Sequence, residues 1–295
     1  MIEGIITKGI GGFYSVYSKD NIMYTCFVKG RLRKDKITPL IGDHVELYPP
    51  INKGNGIINA ILPRKNSFIR PPIANVDQFV IVISPVLPHP NYILLDKLLI
   101  QARQRDVDVL ICVNKIDLIT PEIEEKIKNE YISSGCSLIF TSTLNGVGIM
   151  DIKSRLYGKI TTFTGQSGVG KTSLLNYLIP EYHLKTGEIS VKIGGGKHTT
   201  RHIELLLLPD GGMIMDTPGF SLLNIDDIEP VALNQLYPEF EPYANQCRFH
   251  GCLHEEEPDC IVRKMVFEGK ISSERYKRYL LLLKDIKKKW RNKYD

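Results

Sequence analysis

The sequence predicts a multidomain chain: a small N-terminal β-barrel, a central doubly wound α/β domain and a helical C-terminal segment built on a metal site. Three observations carry this. Short β-rich stretches separated by Gly and Pro turns fill residues 1 to 70. From 72 to 225, apolar strand runs alternate with amphipathic helices. From 226 to 295 the chain turns helical and charged around a group of cysteines.

The bulk numbers suit that division. A chain of 295 residues, 43% hydrophobic and 24% charged, is long enough for more than one core. A net charge of +5 permits a polyanionic partner without requiring one. Met1-Ile2-Glu3-Gly4 does not begin a basic stretch followed by an apolar one, so no secretion signal is expected. The apolar runs are too short to span a bilayer. A reducing cytoplasmic setting is expected, with no membrane partner and, in the absence of an oligomerisation signal, a monomer. Cys26, Cys112 and Cys136 are expected to be isolated buried thiols.

In the first segment, Tyr24-Thr25-Cys26-Phe27-Val28 and Asp43-His44-Val45-Glu46-Leu47 read as strands. Lys29, Arg31, Arg33, Lys34, Lys36, Arg64 and Lys65 interleave with them. A small barrel of the oligonucleotide-binding (OB) type fits. On spacing alone, nucleic-acid binding and ordinary solvated lysines weigh equally.

The second segment opens with Gln78 to Ile83, a continuous apolar run of buried-strand type. An amphipathic helix over Tyr92 to Gln104 and a strand over Val107 to Val113 follow. Pro121 suits a helix start, with Glu122, Glu124 and Glu125 at its positive end. Cys136 to Phe140 and Lys159 to Phe163 are further strands, and Pro209-Asp210-Gly211-Gly212 turns a hairpin between His202–Leu208 and Met213–Met215.

Gly165-Gln166-Ser167-Gly168-Val169-Gly170-Lys171-Thr172-Ser173 follows one of these strands and opens a helix. That context identifies a phosphate-binding loop, whose glycines let backbone amides approach a phosphate. Lys171 would reach the β- and γ-phosphates, and the Thr172 hydroxyl would ligate Mg²⁺. Asp216-Thr217-Pro218-Gly219 ends a strand, so Asp216 would hold Mg²⁺ and the Gly219 amide would sense a γ-phosphate. Asn114-Lys115-Ile116-Asp117 also follows a strand. There Asp117 would accept two guanine N–H bonds, Lys115 would lie over the base, and Asn114 would tie the loops together. Thr141-Ser142-Thr143 would complete the base pocket, with Ser142 nearest the guanine oxygen.

The order of these motifs is unusual. The guanine loop precedes the phosphate loop, the reverse of an ordinary guanine-nucleotide domain, so the domain reads as a circularly permuted P-loop GTPase binding GTP or GDP with Mg²⁺. Gly194-Gly195-Gly196-Lys197-His198-Thr199-Thr200-Arg201 reads as a mobile switch, or else as a flexible linker. Either Thr199 or Thr200 would close on Mg²⁺ and the γ-phosphate; Thr200 is favoured. Phe220 stands where many GTPases carry a water-orienting glutamine, and phenylalanine cannot hydrogen-bond water. His198 is the candidate substitute, weighed equally against a merely solvated loop residue. The catalytic candidates are therefore Lys171, Thr200 and His198.

In the third segment, Cys247, Cys252, His254 and Cys260 supply three thiolates and an imidazole, a set suited to one structural Zn²⁺ per chain. His250 is an alternative nitrogen ligand, and unmetallated buried cysteines are the plainer reading.

These residues resemble the bacterial ribosome small-subunit-dependent GTPase A family. The resemblance rests on Arg64-Lys65-Asn66-Ser67, Ala74-Asn75-Val76-Asp77-Gln78, Asn114 to Asp117, Gly165 to Ser173, His198-Thr199-Thr200, Asp216 to Phe220 and Cys247 to Cys260. It implies an RNA-binding OB barrel, a permuted GTPase core and a zinc domain. It also implies GTP hydrolysis stimulated by the small ribosomal subunit, contacts with its rRNA and a role late in its maturation. The rival readings are a nucleotide-gated RNA-binding scaffold with incidental hydrolysis, and an ATP-dependent enzyme, which Asp117 disfavours.

Overall fold

The computed structural model describes residues 1–30, 38–51, 54–69, 71–180, 203–216, 225 and 227–294. The chain forms two compact units: Met1–Val80, Ile149–Ser167 and Lys171–Leu222 make one, and Ile81–Gly148, Gly168–Gly170 and Leu223–Asp295 the other.

In the first unit, β1 (Ile2–Ile10), β2 (Phe13–Ser18), β3 (Met23–Val28), β4 (His44–Tyr48) and β5 (Gly56–Ile61) form a closed barrel. Pairing runs β1–β2, β2–β3, β3–β5, β5–β4 and back to β1, with β3–β5 the parallel pair. Closure removes the exposed edges that an open sheet of this size would present. The two-residue period of the strands turns Ile6, Val16, Cys26, Val45, Leu47 and Ile58 inward, all fully buried. The expected barrel is thus present. Of the basic residues read along it, Arg31, Arg33, Lys34 and Lys36 lie outside the described residues.

Arg64 is committed in part to the protein interior. Its guanidinium is engaged with the buried Asp43 carboxylate, Nε to Oδ1 at 2.7 Å and Nη2 to Oδ2 at 2.8 Å. Lys65 in turn lies 3.6 Å from Asp77. The segment that follows the barrel is locked by side-chain amides that stand in for a β-ladder. Asn66 exchanges two hydrogen bonds with the backbone of Val76, and Asn75 accepts from the Lys65 amide and donates to the Gly42 carbonyl. Gly42 has φ +90°, and a β-carbon there would lie 2.1 Å from the Ala74 carbonyl oxygen, so only glycine fits.

β6 (Ser67–Phe68) and β7 (Ile73–Ala74) pair within this segment, and β8 (Gln78–Ile83) follows it, the chain passing to the second unit between Val80 and Ile81. The Asp77 amide donates to the carbonyl of Ile160, and the Ile160 amide to the Asp77 carboxylate. Ile160 begins β11 (Ile160–Thr164), the strand that enters the phosphate loop. β13 (Met213–Asp216) runs parallel to β11 and antiparallel to β12 (Glu204–Leu207), which pairs with β1 at Lys8 and Glu204. Among the described residues, the unit also holds the helices α3 (Ile149–Leu156) and α4 (Lys171–Leu178).

In the second unit, β9 (Asp108–Asn114) and β10 (Ser137–Thr141) are parallel neighbours, with Asn114 opposite Thr141. α1 (Tyr92–Gln104) is capped by Asn91, whose side chain accepts from the Leu94 amide at 2.9 Å. α2 (Pro121–Tyr131) starts on proline with Glu122 and Glu124 in its first turn, as expected. The C-terminal segment folds as short helices α5 (Pro230–Leu233), α6 (Glu241–Ala244) and α7 (Ile261–Phe267), then the long α8 (Ser273–Tyr294). Its core holds Tyr237, Phe240 and Tyr279 with ring centroids about 5 Å apart, and Ile100 of α1 joins the same cluster. Cys26 and Cys112 are buried as expected; Cys136, at the sheet-edge strand β10, is only half-buried.

Replacing Arg64 by leucine would strand the Asp43 carboxylate in the interior. Because Arg64 is itself part-exposed, a loss of about 2 kcal/mol is expected, read as a lower urea midpoint with unchanged slope.

Candidate functional site

The phosphate loop lies between β11 and α4, as its sequence context predicts. Gly165, Gly168 and Gly170 all have positive φ, at +136°, +82° and +96°. Lys171 reaches back over the loop, and its Nζ donates to the carbonyls of Gly165 at 2.8 Å and Gln166 at 2.7 Å. Burial pushes its ammonium down to about 8, a charge poorly solvated by the protein alone. Thr172 and Ser173 sit half-buried in the first turn of α4, Ser167 is exposed and Val169 is buried. The side-chain oxygen of Gln166 is buried, with no hydrogen-bond partner among the described residues.

Asp216 is the last residue of β13, one position beyond Met215, which pairs with Thr162 of β11. Parallel strands place their C-terminal ends on one edge of the sheet, so the backbone of Asp216 is on the edge from which the phosphate loop leaves. His198, Thr199, Thr200, Gly219 and Phe220 lie outside the described residues.

In the second unit the guanine loop is assembled around Asn114. This residue is fully buried, and its amide donates to the Val169 carbonyl at 2.9 Å. Thr141, brought opposite by the parallel register of β9 and β10, donates to the other end of the same carboxamide at 3.1 Å. A β-carbon on Gly170 would fall 2.2 Å from the Asn114 amide nitrogen, so the glycine is required here for close approach as well as for its φ. Lys115 adopts a left-handed conformation, φ +65°, and its Nζ donates to the carbonyls of Leu87 at 2.7 Å and Gly168 at 2.8 Å. The stem is thereby stretched along the loop. Asp117 is exposed, with its carboxylate oriented by the Ser142 hydroxyl at 2.5 Å. Ser142 itself is buried, its amide donating to the Val147 carbonyl. Held at one oxygen, the Asp117 carboxylate retains acceptor sites for a donor pair.

The third constellation is the cysteine cluster. Cys247, Cys252, His254 and Cys260 present ligand atoms all within 4.8 Å of one another. His250, the alternative ligand, is exposed and outside the cluster. A tetrahedral zinc with Zn–S near 2.3 Å requires sulfur separations of roughly 3.8 Å and sulfur–nitrogen separations of roughly 3.5 Å. The cluster has 3.9 Å between Cys247 and Cys260 sulfurs, and 3.7 and 3.4 Å from those sulfurs to His254 Nδ1. The spacing therefore fits a zinc-sized ion. Burial lowers the proton affinity of His254, which favours the neutral imidazole a metal needs. Glu257 fastens the knuckle by accepting from the amides of Leu253 and Glu255, and Tyr276 donates to the His254 carbonyl.

Two groups of residues carry structure that sequence reading did not assign. Asn66, Asn75 and Asp77 were visible as a pattern without a role; each proves to bond backbone. Asp96, Glu130, Glu239, Arg275 and Arg278 form a buried ion network. One signal pointed to it: Arg275 and Arg278 share a helical face with Tyr279, Leu282 and Ile286, an apolar stripe where guanidiniums need buried partners.

The RsgA GTPase family matches residues 61–226, and the RsgA N-terminal domain matches residues 3–58. A small ribosomal subunit biogenesis GTPase RsgA from Agathobacter rectalis is 45% identical over 99% of this chain and 100% of its own length. One from a Geobacillus species is 46% identical over 98% and 99%. Among solved structures, YjeQ from Thermotoga maritima superposes with a TM-score of 0.84 at 32% identity, covering 97% of this chain and 98% of that one. YloQ, described as a circularly permuted GTPase, superposes with a TM-score of 0.83 at 37% identity, covering 98% and 96%.

Changing Cys252 to serine is expected to remove the bound metal from the purified chain, detected by elemental analysis. The melting transition of the C-terminal segment should fall with it, since a structural metal contributes directly to folding. Full metal content in that variant would show that Cys252 is not a ligand.

Proposed function

Because the chain belongs to the RsgA GTPase family, we propose that it binds the small ribosomal subunit and hydrolyses GTP late in that subunit's maturation. The observation that carries the reading is the Asn114–Val169 bond: a guanine loop that comes first in the chain is fastened in space to a phosphate loop that comes second. The names carried by the full-length relatives support the ribosomal partner.

On this reading three domains divide the work: residues 1–70 as an OB barrel on rRNA, 72–225 as the permuted GTPase, and 226–295 as the zinc domain. Asp117 reads the guanine N–H pair, with Ser142 orienting it and Lys115 lying alongside the base. Amides of Gly165 to Ser173 receive the phosphates, and Lys171 exchanges its two carbonyl partners for phosphate oxygens. Thr172, Asp216 and Thr200 hold Mg²⁺, which when bound neutralises charge on the β- and γ-phosphates. Gly219 senses the γ-phosphate. His198 orients the attacking water in place of the glutamine that Phe220 replaces. Cys247, Cys252, His254 and Cys260 hold one structural Zn²⁺. No described helix is long and apolar enough to cross a membrane; the proposed setting is a monomer in the cytoplasm.

The direct test is phosphate release from GTP and from ATP, with and without purified small subunits. Turnover of GTP alone, rising with added subunit, is expected. Nucleotide binding without stimulation would favour the gated-scaffold reading. A second expectation concerns pH. Free Lys171 loses its proton above about 8, and phosphate binding restores it, so binding takes up a proton there. Affinity for GDP should be flat below pH 8 and fall above it, approaching roughly tenfold per unit, by calorimetry. Lys171→Met should abolish that dependence together with most of the affinity.

A further inference from the structure

α2 begins four residues after Asp117, and its burial is concentrated at the far end. Among its eleven residues only Ile127, Glu130 and Tyr131 are buried, and two of these are in the last turn. Both meet the C-terminal helix. Arg278 donates through Nη2 to Glu130 Oε1 at 2.5 Å and to the Tyr131 hydroxyl at 3.2 Å. Its Nε donates to Asp96 of α1 at 2.5 Å. Arg275, one turn earlier on α8, donates to the other oxygen of Asp96 at 2.6 Å and to Glu239 at 2.5 Å. The two guanidiniums also lie over aromatic faces, Arg275 over Tyr131 and Tyr237, Arg278 over Tyr92. Asp96 is completely buried, and Tyr131 adds a longer bond to it at 3.3 Å.

This is a knot of two cations and three carboxylates in which each arginine bridges two elements. Asp96 alone could be satisfied by one guanidinium, and the C-terminal core is already closed by its own aromatic cluster. What Arg278 adds is a fixed place for the last turn of α2. A helix is stiff along its axis, so fixing its last turn fixes the direction of its first turn and of the loop that feeds it. In that loop, the amides of Leu118 and Ile119 donate to the Lys115 and Ile116 carbonyls, and the amides of Ile123 and Glu124 to Thr120, so consecutive short turns lead from Asp117 into the helix.

We propose that Arg278, acting through Glu130 and Tyr131, is a positioning residue for guanine recognition, so that the zinc-bearing C-terminal segment forms part of the base-selective machinery. Asp117 reads guanine only if its carboxylate meets the ring N–H and the exocyclic amine together, a pairing sensitive to small displacements. The inference rests on the guanine-loop reading and adds to it a support for the loop's Asp117 end, beside the bonds from Asn114, Lys115 and Ser142.

The test compares GDP with IDP, whose base lacks the exocyclic amine, on the full-length, metal-loaded chain. Glu130→Ala releases α2 while Asp96 still holds both arginines, and Glu130→Gln keeps an oxygen acceptor for Arg278. For Glu130→Ala we expect GDP affinity to fall about tenfold, IDP affinity to change far less, and metal content to stay full. Faster hydrogen exchange at the Leu118 and Ile119 amides should accompany the loss, and Glu130→Gln should recover most of it. Arg278→Met should reproduce the Ala phenotype if it folds; the Glu130 pair carries the test if it does not. A folded Glu130→Ala protein with the wild-type GDP to IDP ratio would overturn the proposal. Equal loss of both nucleotides would also overturn it, because that marks general loosening. A wild-type protein indifferent to the two nucleotides would instead bring down the guanine-loop reading itself, and this inference with it.

Discussion

The carboxamide of Asn114 donates to the Val169 carbonyl and accepts from Thr141, and the arrangement of the second unit follows from keeping both bonds in a dry interior. An amide buried this completely costs free energy unless both of its ends are paired. The parallel register of β9 and β10 supplies Thr141. A glycine at 170 clears room for the donor side. Lys115 then repeats the fastening one residue on, bonding the Gly168 and Leu87 carbonyls. The first two residues of the guanine loop are therefore fastened to the phosphate loop's middle, and the order in which the chain visits the two pieces has no bearing on that attachment. This is why permutation is tolerated.

The same economy recurs where the barrel ends. Asn66, Asn75 and Asp77 each satisfy backbone groups that a regular ladder would otherwise pair, so a short irregular segment stays rigid without becoming a strand. Arg64 shows the complementary case of a basic residue whose charge is internal. Read along the chain it is one of a series of basic residues that suits a polyanion or plain solvation equally; folded, it pairs with a buried carboxylate.

Much of the fold was legible because its signals are local. Gln78 to Ile83 is apolar without interruption and is the buried strand expected; Asn91 and Pro121 mark helix starts by their own chemistry. Strands β9, β10 and β11 were each placed one residue early at their C-terminal ends, because the final polar residue of each, Asn114, Thr141 or Thr164, looks like loop chemistry and is held in the strand by its neighbours. The candidate phosphate loop could be placed between a strand and a helix because its glycine spacing and flanking apolar runs are local signals. The partners within the ion network were not legible, although the helical face of Arg275 and Arg278 marks them as guanidiniums in need of some. Asp96 and Arg278 are separated by 182 positions, and nothing near either one names the other.

Both compact units are discontinuous in sequence, each interleaved with the other along the chain. Lys8 of β1 meets Glu204 of β12 across 196 positions, and Asp96 meets Arg275 across 179. During synthesis, the first unit cannot close its sheet until β12 and β13 have emerged, and Asp96 waits for its partners until α8 is made. Completion of both units is thus deferred to the last part of translation, and contacts this distant are slow to find because long loops must be closed first. Shortening the chain at residue 225 would accordingly remove the counter-ions of a carboxylate already enclosed, and so differs in kind from deleting an independent module.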